Sequence, residues 1–353
     1  MTNPRLLVTG GAGFIGSALV RYLIGETDAG VINVDALTYA ANPSNLCEVE
    51  GNSRYRFERA DICSDRSLER IFAEHRPSAV IHLAAETHVD RSIDDPFVFV
   101  KTNALGTATL LRSASRYWRA LAPAEQVQFR FLHVSTDEVY GSLGAEGAFT
   151  EESPYRPSSP YAASKAAADH LVRAWHNTYG LPIIISNCSN NFGPYQFPEK
   201  LIPLMIINGL EGRAMPVYGR GENVRDWLFV EDHARALSTI LKAGKIGECY
   251  NVSSGNEVRN IDVVGMICNL LDQCAPPLPG RKSRRELISF VADRPGHDMR
   301  YALDARKLRE ELGWQARQPF ASALRATVEW YIANKGWWNP LRNAAFERLG
   351  VTG

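Results

Sequence analysis

The sequence predicts an α/β protein in which a doubly wound parallel sheet is joined to a smaller mixed α/β lobe. Three observations support this fold class. A short apolar segment, 5–9, leads directly into a glycine-rich stretch, 10–16, and a helical segment follows. Strand-like and helix-like segments then alternate as far as residue 187, and beyond it the alternation becomes irregular. Regular alternation is typical of a parallel sheet that carries helices on both faces.

Seven apolar segments are predicted to be strands, with the bounds 5–9, 31–35, 55–60, 79–85, 129–135, 182–187 and 248–252. The predicted helices cover 17–24, 97–117, 161–179, 201–210, 232–241, 303–312 and 320–333, and a further helix begins within 258–262. The fourth strand is apolar throughout, as a central parallel strand should be, and His82 within it is interpreted as a hydrogen-bonded core histidine. Four tryptophans of the last part of the chain are interpreted as packing residues: Trp314, Trp330, Trp337 and Trp338.

Length and composition restrict the function classes. The 353 residues suffice for two modest domains, or for one domain with a sizeable insert. Because 39 basic residues balance 39 acidic ones, overall charge gives no reason to expect a nucleic-acid or membrane partner. No signal peptide and no apolar run of membrane-spanning length is recognised. The six cysteines are scattered without a metal-binding spacing, so we expect reduced thiols, no metal site and a cytoplasmic location.

The glycine-rich stretch predicts a dinucleotide site of the Rossmann type. Gly10, Gly13 and Gly16 lie between a strand and a helix, where backbone amides can receive a pyrophosphate. Asp35 closes the second strand, 19 residues beyond Gly16, and a carboxylate there accepts hydrogen bonds from the adenosine ribose and repels a 2′-phosphate. Residues 36 and 37 are Ala and Leu, so no arginine favours that phosphate, and NAD is preferred over NADP. A tight turn with an incidental aspartate is the alternative interpretation.

Two neighbouring groups of residues predict acid–base chemistry. Tyr161 and Lys165 lie four apart at the start of an alanine-rich helix and therefore on one face of it. The ammonium can lower the pKa of the tyrosine toward neutrality and make it a base for an alcohol proton, and Thr136 at a strand end could steady the same oxygen. Asp137 and Glu138 follow directly. One oxidation needs one base, so this carboxylate pair indicates a further proton transfer, such as C–H proton removal with loss of water; a solvated turn is the alternative interpretation.

Two further groups of residues could contact a ligand. Asp61 and Ile62 end the third strand at a place suited to an adenine, although the spacing equally allows an ordinary turn. Lys200, Arg225, Arg294 and His297 are far apart in the sequence, and each taken alone is as compatible with a surface charge as with a phosphate contact.

With these residues together, the chain resembles the extended short-chain dehydrogenase/reductase family over nearly its whole length. The segments that carry the resemblance are 9–16, 35–40, 86–93, 135–141, 161–165, 190–203, 223–233 and 293–300. The glycine loop and the Tyr-x-x-x-Lys motif are shared throughout the family. The Thr-Asp-Glu triplet and the Asp-Arg-Pro-Gly-His-Asp block are more specific and are similar to those of members that dehydrate nucleotide sugars. Related 4-epimerases usually lack the acidic pair.

The resemblance implies two sets of binding residues. Those implied to contact NAD are Gly10, Gly13, Phe14, Ile15, Gly16, Asp35, Leu37, Thr38, Asp61, Ile62, Leu83, Ala84, Ala85, Thr102, Tyr161, Lys165 and Asn191. Those implied to hold the nucleotide sugar are Thr87, Thr136, Asn190, Lys200, Leu201, Pro216, Tyr218, Arg225, Asn260, Arg294 and His297. The first set belongs to an expected dinucleotide-binding domain, 1–188 plus 228–252, and much of the second to a nucleotide-sugar-binding domain, 189–227 plus 253–353. A homodimer is also implied, formed through the helices 97–117 and 161–179.

The function expected from the residues and the resemblance is the dehydration of a nucleotide-linked glucose, with dTDP-glucose favoured, in deoxysugar (rhamnose-type) precursor biosynthesis. In this hypothesis Tyr161 removes the C4 hydroxyl proton, assisted by Lys165 and Thr136, during oxidation at C4. Glu138 then removes the C5 proton, protonated Asp137 releases the C6 hydroxyl as water, and hydride returns to C6. The alternatives are a nucleotide-sugar 4-epimerase and a catalytically silent dinucleotide-binding module, which would typically lack the tyrosine or the lysine.

Overall fold

The protein is described by a computed structural model that covers residues 4–342. Its strands are β1 (Arg5–Thr9), β2 (Gly30–Asp35), β3 (Tyr55–Arg59), β4 (Ala79–His82), β5 (Arg130–Thr136), β6 (Ile183–Cys188), β7 (Asn190–Phe192), β8 (Met215–Tyr218), β9 (Val224–Phe229), β10 (Cys249–Val252), β11 (Glu257–Arg259) and β12 (Ile288–Val291). Its helices are α1 (Phe14–Glu26), α2 (Asp65–His75), α3 (Val89–Asp94), α4 (Pro96–Phe99), α5 (Thr107–Arg119), α6 (Pro123–Gln128), α7 (Pro160–Tyr179), α8 (Leu201–Glu211), α9 (Val230–Ala243), α10 (Asn260–Cys274), α11 (Arg306–Leu312), α12 (Phe320–Ala333) and α13 (Lys335–Trp338).

Seven strands form one parallel sheet in the order β10-β6-β5-β4-β1-β2-β3. The order 3-2-1-4-5-6 within it is that of the Rossmann fold, and β10 adds a seventh strand at the β6 edge. The predicted fold class is therefore confirmed. The strand order reverses between β1 and β4, and in such sheets ligands bind outside the carboxyl ends of the strands at this point.

Helices cover both faces of this sheet because its strands are apolar on both sides. Along β1, Leu6 and Val8 pack with α1 and α9 on one face, whereas Leu7 packs with α2, α5 and α7 on the other. This alternation follows from the two-residue period of a strand. Burial on both faces explains why the predicted strands read as continuous apolar runs.

The rest of the chain builds a smaller lobe, as predicted. Its strands form a three-stranded sheet, β11-β9-β7, and a parallel pair, β8 and β12. Helices α8, α10 and α12 bury a separate apolar core against them. Trp338 lies fully inside this core, Trp330 and Trp337 pack on it, and Trp314 is buried against α9 of the larger sheet, so the packing role expected for the four tryptophans is confirmed.

Three predicted elements are corrected. The fourth strand ends at His82. Leu83 N–H still donates to the carbonyl oxygen of Thr9, but the following amides donate to side chains: Ala84 N–H to Thr9 Oγ1 and Glu86 N–H to Asn103 Oδ1. The helix predicted over 97–117 contains a π-helical stretch, Val100–Gly106. The helix predicted from residue 303 begins at Arg306, since Leu303 instead forms a β-bridge with Phe149.

Four helices have no counterpart among the predicted elements: α2, α3, α6 and α13. Helix α2 begins after Ser64, whose side chain accepts a hydrogen bond from Ser67 N–H, and it buries Leu68, Ile71 and Phe72. A serine cap followed by apolar residues at helical spacing is a signal that the sequence does contain. Within residues 4–342, no helix combines the length and the apolar character needed to cross a membrane.

Candidate active site

One cleft runs along the carboxyl ends of β1, β4, β5 and β6 and has a volume of about 320 Å³. Its lining extends from the glycine loop past the end of β5 to Lys200, so the positions expected for the cofactor and for the catalytic residues share one cleft. The predicted site residues that line it are Gly10, Gly13, Phe14, Ile15, Gly16, Asp35, Thr38, Asp61, Ile62, Leu83, Ala84, Ala85, Thr87, Thr102, Thr136, Asp137, Glu138, Tyr161, Lys165, Asn190, Asn191 and Lys200. Those outside its lining are Leu37, Leu201, Pro216, Tyr218, Arg225, Asn260, Arg294 and His297.

Backbone conformation and close backbone contacts require glycine at two positions of the glycine loop. Gly10 has a φ of +73°, and a Cβ there would lie 2.7 Å from Ala84 N. A Cβ on Gly16 would lie 2.1 Å from the carbonyl oxygen of Gly10, so only glycine lets helix α1 approach the loop this closely. The loop therefore leads directly into the amino terminus of α1, where a pyrophosphate is stabilised by free backbone amides.

Asp35 is held in position by backbone donors. Its carboxylate accepts hydrogen bonds from Ala12 N–H at 2.9 Å and from Leu37 N–H at 2.8 Å. Burial raises its pKa, and these two hydrogen bonds oppose that shift. Leu37 reaches this position with a φ of +56°, which is unusual for a residue with a side chain. Leu37 thus acts on the dinucleotide end of the cleft through its backbone.

The π-helical stretch shapes the middle of the cleft. It places Thr102 in the cleft lining and turns Asn103 inward. The Asn103 side chain binds the backbone of Glu86 through both its oxygen (2.8 Å) and its nitrogen (3.0 Å), and the same nitrogen donates to Ser164 Oγ at 2.8 Å. Asn103 therefore joins the loop after β4 to helix α7. π-Helical turns are frequent at functional sites, and the sequence pattern offers no signal for this one.

Helix α7 presents the tyrosine and the lysine to the end of β5. Ser159 caps the helix by accepting a hydrogen bond from Ala162 N–H, and Pro160 occupies its first turn. Tyr161 and Lys165 are both buried in the cleft wall, and Lys165 Nζ donates to the carbonyl oxygen of Val134 at 2.8 Å.

The expected lowering of the tyrosine pKa is wrong for the protein by itself. Burial raises the pKa of Tyr161 well above its ordinary value, and the carboxylate of Glu138 raises it further, while a hydrogen bond with Thr136 acts in the opposite direction. Tyr161 is therefore a phenol at neutral pH in the protein by itself.

The acidic pair lies in a short helical turn, Asp137–Tyr140, directly after β5. Asp137 is 1% exposed, and burial, reinforced by the carboxylates of Glu138 and Asp226, raises its pKa well above the ordinary value. Its Oδ2 atom has no hydrogen-bond partner within the protein. A protonated carboxyl group with one free oxygen is suited to donate a proton.

Glu138 differs from its neighbour because three cations act on it. Burial raises its pKa, but the positive charges of Arg294, Arg225 and Lys200 each lower it. Burial thus disfavours ionisation of both groups, and the cations that oppose this effect are three at Glu138 but only Arg225 among those acting on Asp137. Two adjacent carboxyl groups whose surroundings separate their pKa values are the usual arrangement of a catalytic acid and base.

The same three cations belong to the predicted substrate-binding set. Arg225 is buried, donates to Asp298 O at 2.8 Å and lies over the ring of Tyr301. Arg294 pairs with Asp90 at 3.5 Å, leaving its Nε without a partner, and Lys200 Nζ donates to Thr87 O at 2.9 Å. The structure therefore brings together basic residues that are distant in sequence.

The remaining substrate-binding positions surround this basic group. Tyr218 donates to Asp90 at 3.2 Å, and its ring lies 6.1 Å from that of His297, which binds Asp293 at 2.6 Å. Asn260 begins α10, and its Oδ1 atom is buried without a partner, as is that of Asn190. Leu201 begins α8 and Pro216 lies in β8. Unsatisfied buried polar atoms at several of these positions are expected where a polar ligand binds.

Sequence reasoning missed a second acidic group at the cleft. Glu199 lines it, accepts a hydrogen bond from Tyr39 OH at 2.9 Å and pairs with Arg91 at 3.4 Å; Arg91 lies over the ring of Tyr39. Glu86 also lines the cleft, and burial raises the pKa of both carboxyl groups. Tyr39 and Glu199 are 160 residues apart, so no local pattern could have paired them.

Comparison with known proteins identifies the family. The family model described as GDP-mannose 4,6 dehydratase matches residues 7–327. The chain is 57% identical to dTDP-glucose 4,6-dehydratase of Neisseria meningitidis, with 98% of this chain and 99% of the relative covered. The chain belongs to this dehydratase family. It is also 56% identical to dTDP-glucose 4,6-dehydratase 1 of Escherichia coli K12, with 97% of each chain covered.

Solved structures agree with this assignment. The dTDP-glucose 4,6-dehydratase DesIV of Streptomyces venezuelae, crystallised with NAD and TDP, matches with a TM-score of 0.87 at 46% identity, covering 96% of this chain and 99% of that one. A UDP-glucose 4-epimerase of Thermotoga maritima matches with a TM-score of 0.81 at 29% identity, covering 94% and 99%. The dehydratase family and the extended short-chain dehydrogenase/reductase fold are therefore both established for this chain.

Proposed function

We propose that this chain catalyses the NAD-dependent dehydration of dTDP-glucose to the 4-keto-6-deoxy sugar nucleotide, which makes it a hydro-lyase of deoxysugar precursor biosynthesis. The observation that carries the proposal is the buried pair Asp137 and Glu138 in one cleft with Tyr161 and Lys165; burial raises both carboxyl pKa values, and three cations oppose this at Glu138. The relatives that share this chain over nearly their full length bear the same activity in their names.

NAD fits the dinucleotide end of the cleft. The glycine loop at the start of α1 would hold its pyrophosphate, and Asp35 its adenosine ribose. When bound, NAD would supply the hydride acceptor for oxidation at C4 and, once reduced, the hydride donor for C6. Ala84 and Thr102 line the same cleft.

Tyr161 is the base of the oxidation. It accepts the C4 hydroxyl proton while Thr136 hydrogen-bonds the developing oxygen, and the ammonium of Lys165 stabilises the phenolate. Because burial raises the pKa of Tyr161, the base form depends on added positive charge, which the oxidised nicotinamide ring would supply.

The acidic pair performs the elimination. The new ketone at C4 acidifies the C5 proton, which Glu138 removes in its ionised form. Asp137, which burial keeps protonated, gives its proton to the C6 hydroxyl so that it leaves as water. Hydride return to C6 and reprotonation at C5 complete the product.

The nucleotide sugar is held by the smaller lobe in this proposal. Arg225, Arg294 and Lys200 supply the positive charge for its diphosphate, and His297 beside them can donate a hydrogen bond. We accordingly propose the division predicted from the sequence, with 1–188 plus 228–252 binding NAD and 189–227 plus 253–353 binding the nucleotide sugar. Strand β10 pairs with β6 in the large sheet, and this pairing supports the assignment of residues 228–252 to the NAD-binding domain.

The test is turnover of dTDP-glucose with mass detection. We expect a product lighter by one water, with NAD unchanged overall, and slower turnover of UDP-glucose and CDP-glucose. A galacto-configured sugar of unchanged mass would favour the 4-epimerase, whose fold is shared at 29% identity. No reaction with any of the three would favour the silent binding module.

We also propose the predicted homodimer. Phe97, Val100 and Leu105 are 80%, 51% and 58% exposed along the segment that joins α4 to α5, which packs beside α7. A second copy of the chain would cover these apolar side chains. The cytoplasmic location stays a prediction.

Sedimentation checks the dimer. The unchanged protein is expected to sediment as a dimer and Leu105→Glu as a monomer, because a charge cannot be buried unpaired in the interface. Ile246→Glu is the matched control, since Ile246 is 42% exposed in the loop before β10. A dimer with Glu at position 105 would contradict this interface.

A further inference from the structure

Asp169 is a buried carboxylate that the reaction above does not use. It lies on α7 one turn after Lys165 and is fully inaccessible to solvent. It binds His133 Nε2 at 3.0 Å, and it accepts hydrogen bonds from Ser135 Oγ and Tyr155 OH, both at 2.8 Å. A buried charge with three partners is costly to place, so its position calls for a reason beyond packing.

The hydrogen bonds of Asp169 join α7 to β5 next to the catalytic residues. His133 and Ser135 alternate with Val134 along β5, so their side chains lie on the same face of the sheet and both reach Asp169. Lys165, on the same face of α7, binds the carbonyl oxygen of Val134 between them. Since β5 continues directly into Thr136 and the acidic pair, these contacts set where Tyr161 lies relative to those side chains.

The charge of Asp169 also acts on Lys165. Four titratable groups interact electrostatically with Lys165: Asp169 from α7, His82 from β4, His133 from β5 and Cys188 from β6. Burial lowers the pKa of both histidines and raises that of the Cys188 thiol to about 12, so these three are neutral. Among these groups of the described chain, Asp169 is the one carboxylate.

Asp169 itself remains ionised. Its pKa is lowered: burial acts to raise it, but hydrogen bonds from His133 and Ser135 and the charge of Lys165 act in the opposite direction. The other groups that face it are Tyr155 from the loop before α7, Arg173 from α7, Tyr140 from the turn after β5 and Cys249 from β10.

We propose that Asp169 is a positioning residue for the Tyr161–Lys165 pair: its buried carboxylate holds α7 on β5 and keeps Lys165 an ammonium ion during turnover. The inference rests on the proposed function, in which that ammonium stabilises the phenolate of Tyr161. Burial lowers the pKa of Lys165 and Asp169 raises it, so loss of the carboxylate leaves the burial effect unopposed.

The test is Asp169→Asn, which keeps the shape and an acceptor oxygen but removes the charge. Because the active form needs charged Lys165, activity is lost as pH rises through the lysine pKa, and without Asp169 this loss begins at lower pH. We expect the alkaline limb of kcat to move down by about one pH unit, with KM for the nucleotide sugar changed less than about twofold. A second readout needs no turnover: the ¹³Cε shift of Lys165 in NAD-bound protein labelled at its eight lysines, assigned with Lys165→Arg, should titrate at lower pH in Asp169→Asn.

Two variants serve as controls. Asp169→Glu keeps the charge and is expected to keep the alkaline limb, and Tyr155→Phe removes one hydrogen bond but leaves the carboxylate ionised, so its pH profile should not move. An unchanged titration of Lys165 in Asp169→Asn would overturn the inference. A downward shift of the alkaline limb of kcat in Asp169→Glu would also overturn it. If Asp169→Asn does not fold, the Asp169→Glu result tests the inference instead. Failure of the unchanged protein to turn over dTDP-glucose would instead overturn the proposed function. The titration of Lys165 would still test whether Asp169 keeps this lysine charged.

Discussion

Tyr161→Phe is expected to abolish oxidation at C4 and with it the whole reaction. General-base catalysis typically contributes about 10²–10⁴-fold to a rate, and we expect kcat to fall by about 10³-fold, since the other base after β5, Glu138, acts on the C5 proton in this mechanism. That loss corresponds to about 4 kcal/mol of transition-state stabilisation.

The measurement is single-turnover formation of NADH absorbance after mixing with dTDP-glucose. In the unchanged protein this signal should grow with rising pH, because the raised pKa of Tyr161 makes its base form scarcer at low pH. In Tyr161→Phe the signal should be absent at every pH. Normal turnover by this variant would remove the tyrosine from the mechanism.

Tyr140→Phe is the matched control for this loss. The Tyr140 hydroxyl donates to Asn251 Oδ1 at 3.0 Å and is no part of the cleft lining. Removing it should lower stability by about 1 kcal/mol through the lost hydrogen bond while leaving kcat within about twofold. The comparison separates loss of a tyrosine hydroxyl in general from loss of the one at the reacting carbon.

Asp137→Asn is expected to stop the reaction after the first oxidation. The amide keeps the shape of the protonated carboxyl group but has no acidic proton for the C6 hydroxyl, so loss of water should slow by about 10²-fold or more. Hydride transfer from C4 should persist, because Tyr161, Lys165 and Thr136 are unchanged. NADH should therefore accumulate in a single turnover, whereas in the unchanged protein it is consumed again.

The pH dependence of this variant has a defined sign. The pKa of Asp137 is raised in the folded protein, so the folded state favours the protonated carboxyl group. When pH rises above the pKa of an unfolded aspartate, the unfolded chain ionises more readily than the folded one, and the folded state loses stability. Asn removes this effect, and the variant should have a Tm at pH 8 equal to or above that of the unchanged protein. A slow variant that is also less stable would point to misfolding instead of a lost acid.

Glu151→Gln is the control for the loss of a buried carboxyl group. Burial raises the pKa of Glu151, which accepts a hydrogen bond from Asn251 N–H at 2.8 Å outside the cleft lining. Its turnover should proceed without NADH accumulation. Full dehydratase activity in Asp137→Asn would show that another group releases the C6 hydroxyl.

Much of the large sheet could be predicted from the sequence because its signals are local. Strand β1 has its predicted bounds, and β2 differs by a single residue. The strand predicted over 79–85 was too long because apolar residues 83–85 line a cleft instead of pairing in the sheet. Composition cannot distinguish a buried strand from an apolar ligand wall, since both exclude charged side chains.

The site was predicted best where its residues are contiguous. The glycine loop, Asp35, the triplet ending in Glu138, and the Tyr161–Lys165 pair all line one cleft. Glu199 with Arg91, and Asp169 with its partners on β5, were missed because each set comes from elements that meet only in the folded chain.

By itself the sequence determined which chemical groups are present and in what order: a dinucleotide loop, an acidic residue that prefers NAD, a tyrosine and lysine on one helix face, and two adjacent carboxyl groups. These follow from spacing along the chain. Only the tertiary structure decided their protonation: it buried Asp137 beside other carboxylates, surrounded Glu138 with Arg225, Arg294 and Lys200, and left Tyr161 a phenol. The physical reason is that a pKa depends on desolvation and on charges within a few ångströms, and those neighbours come from strands and loops far apart in sequence.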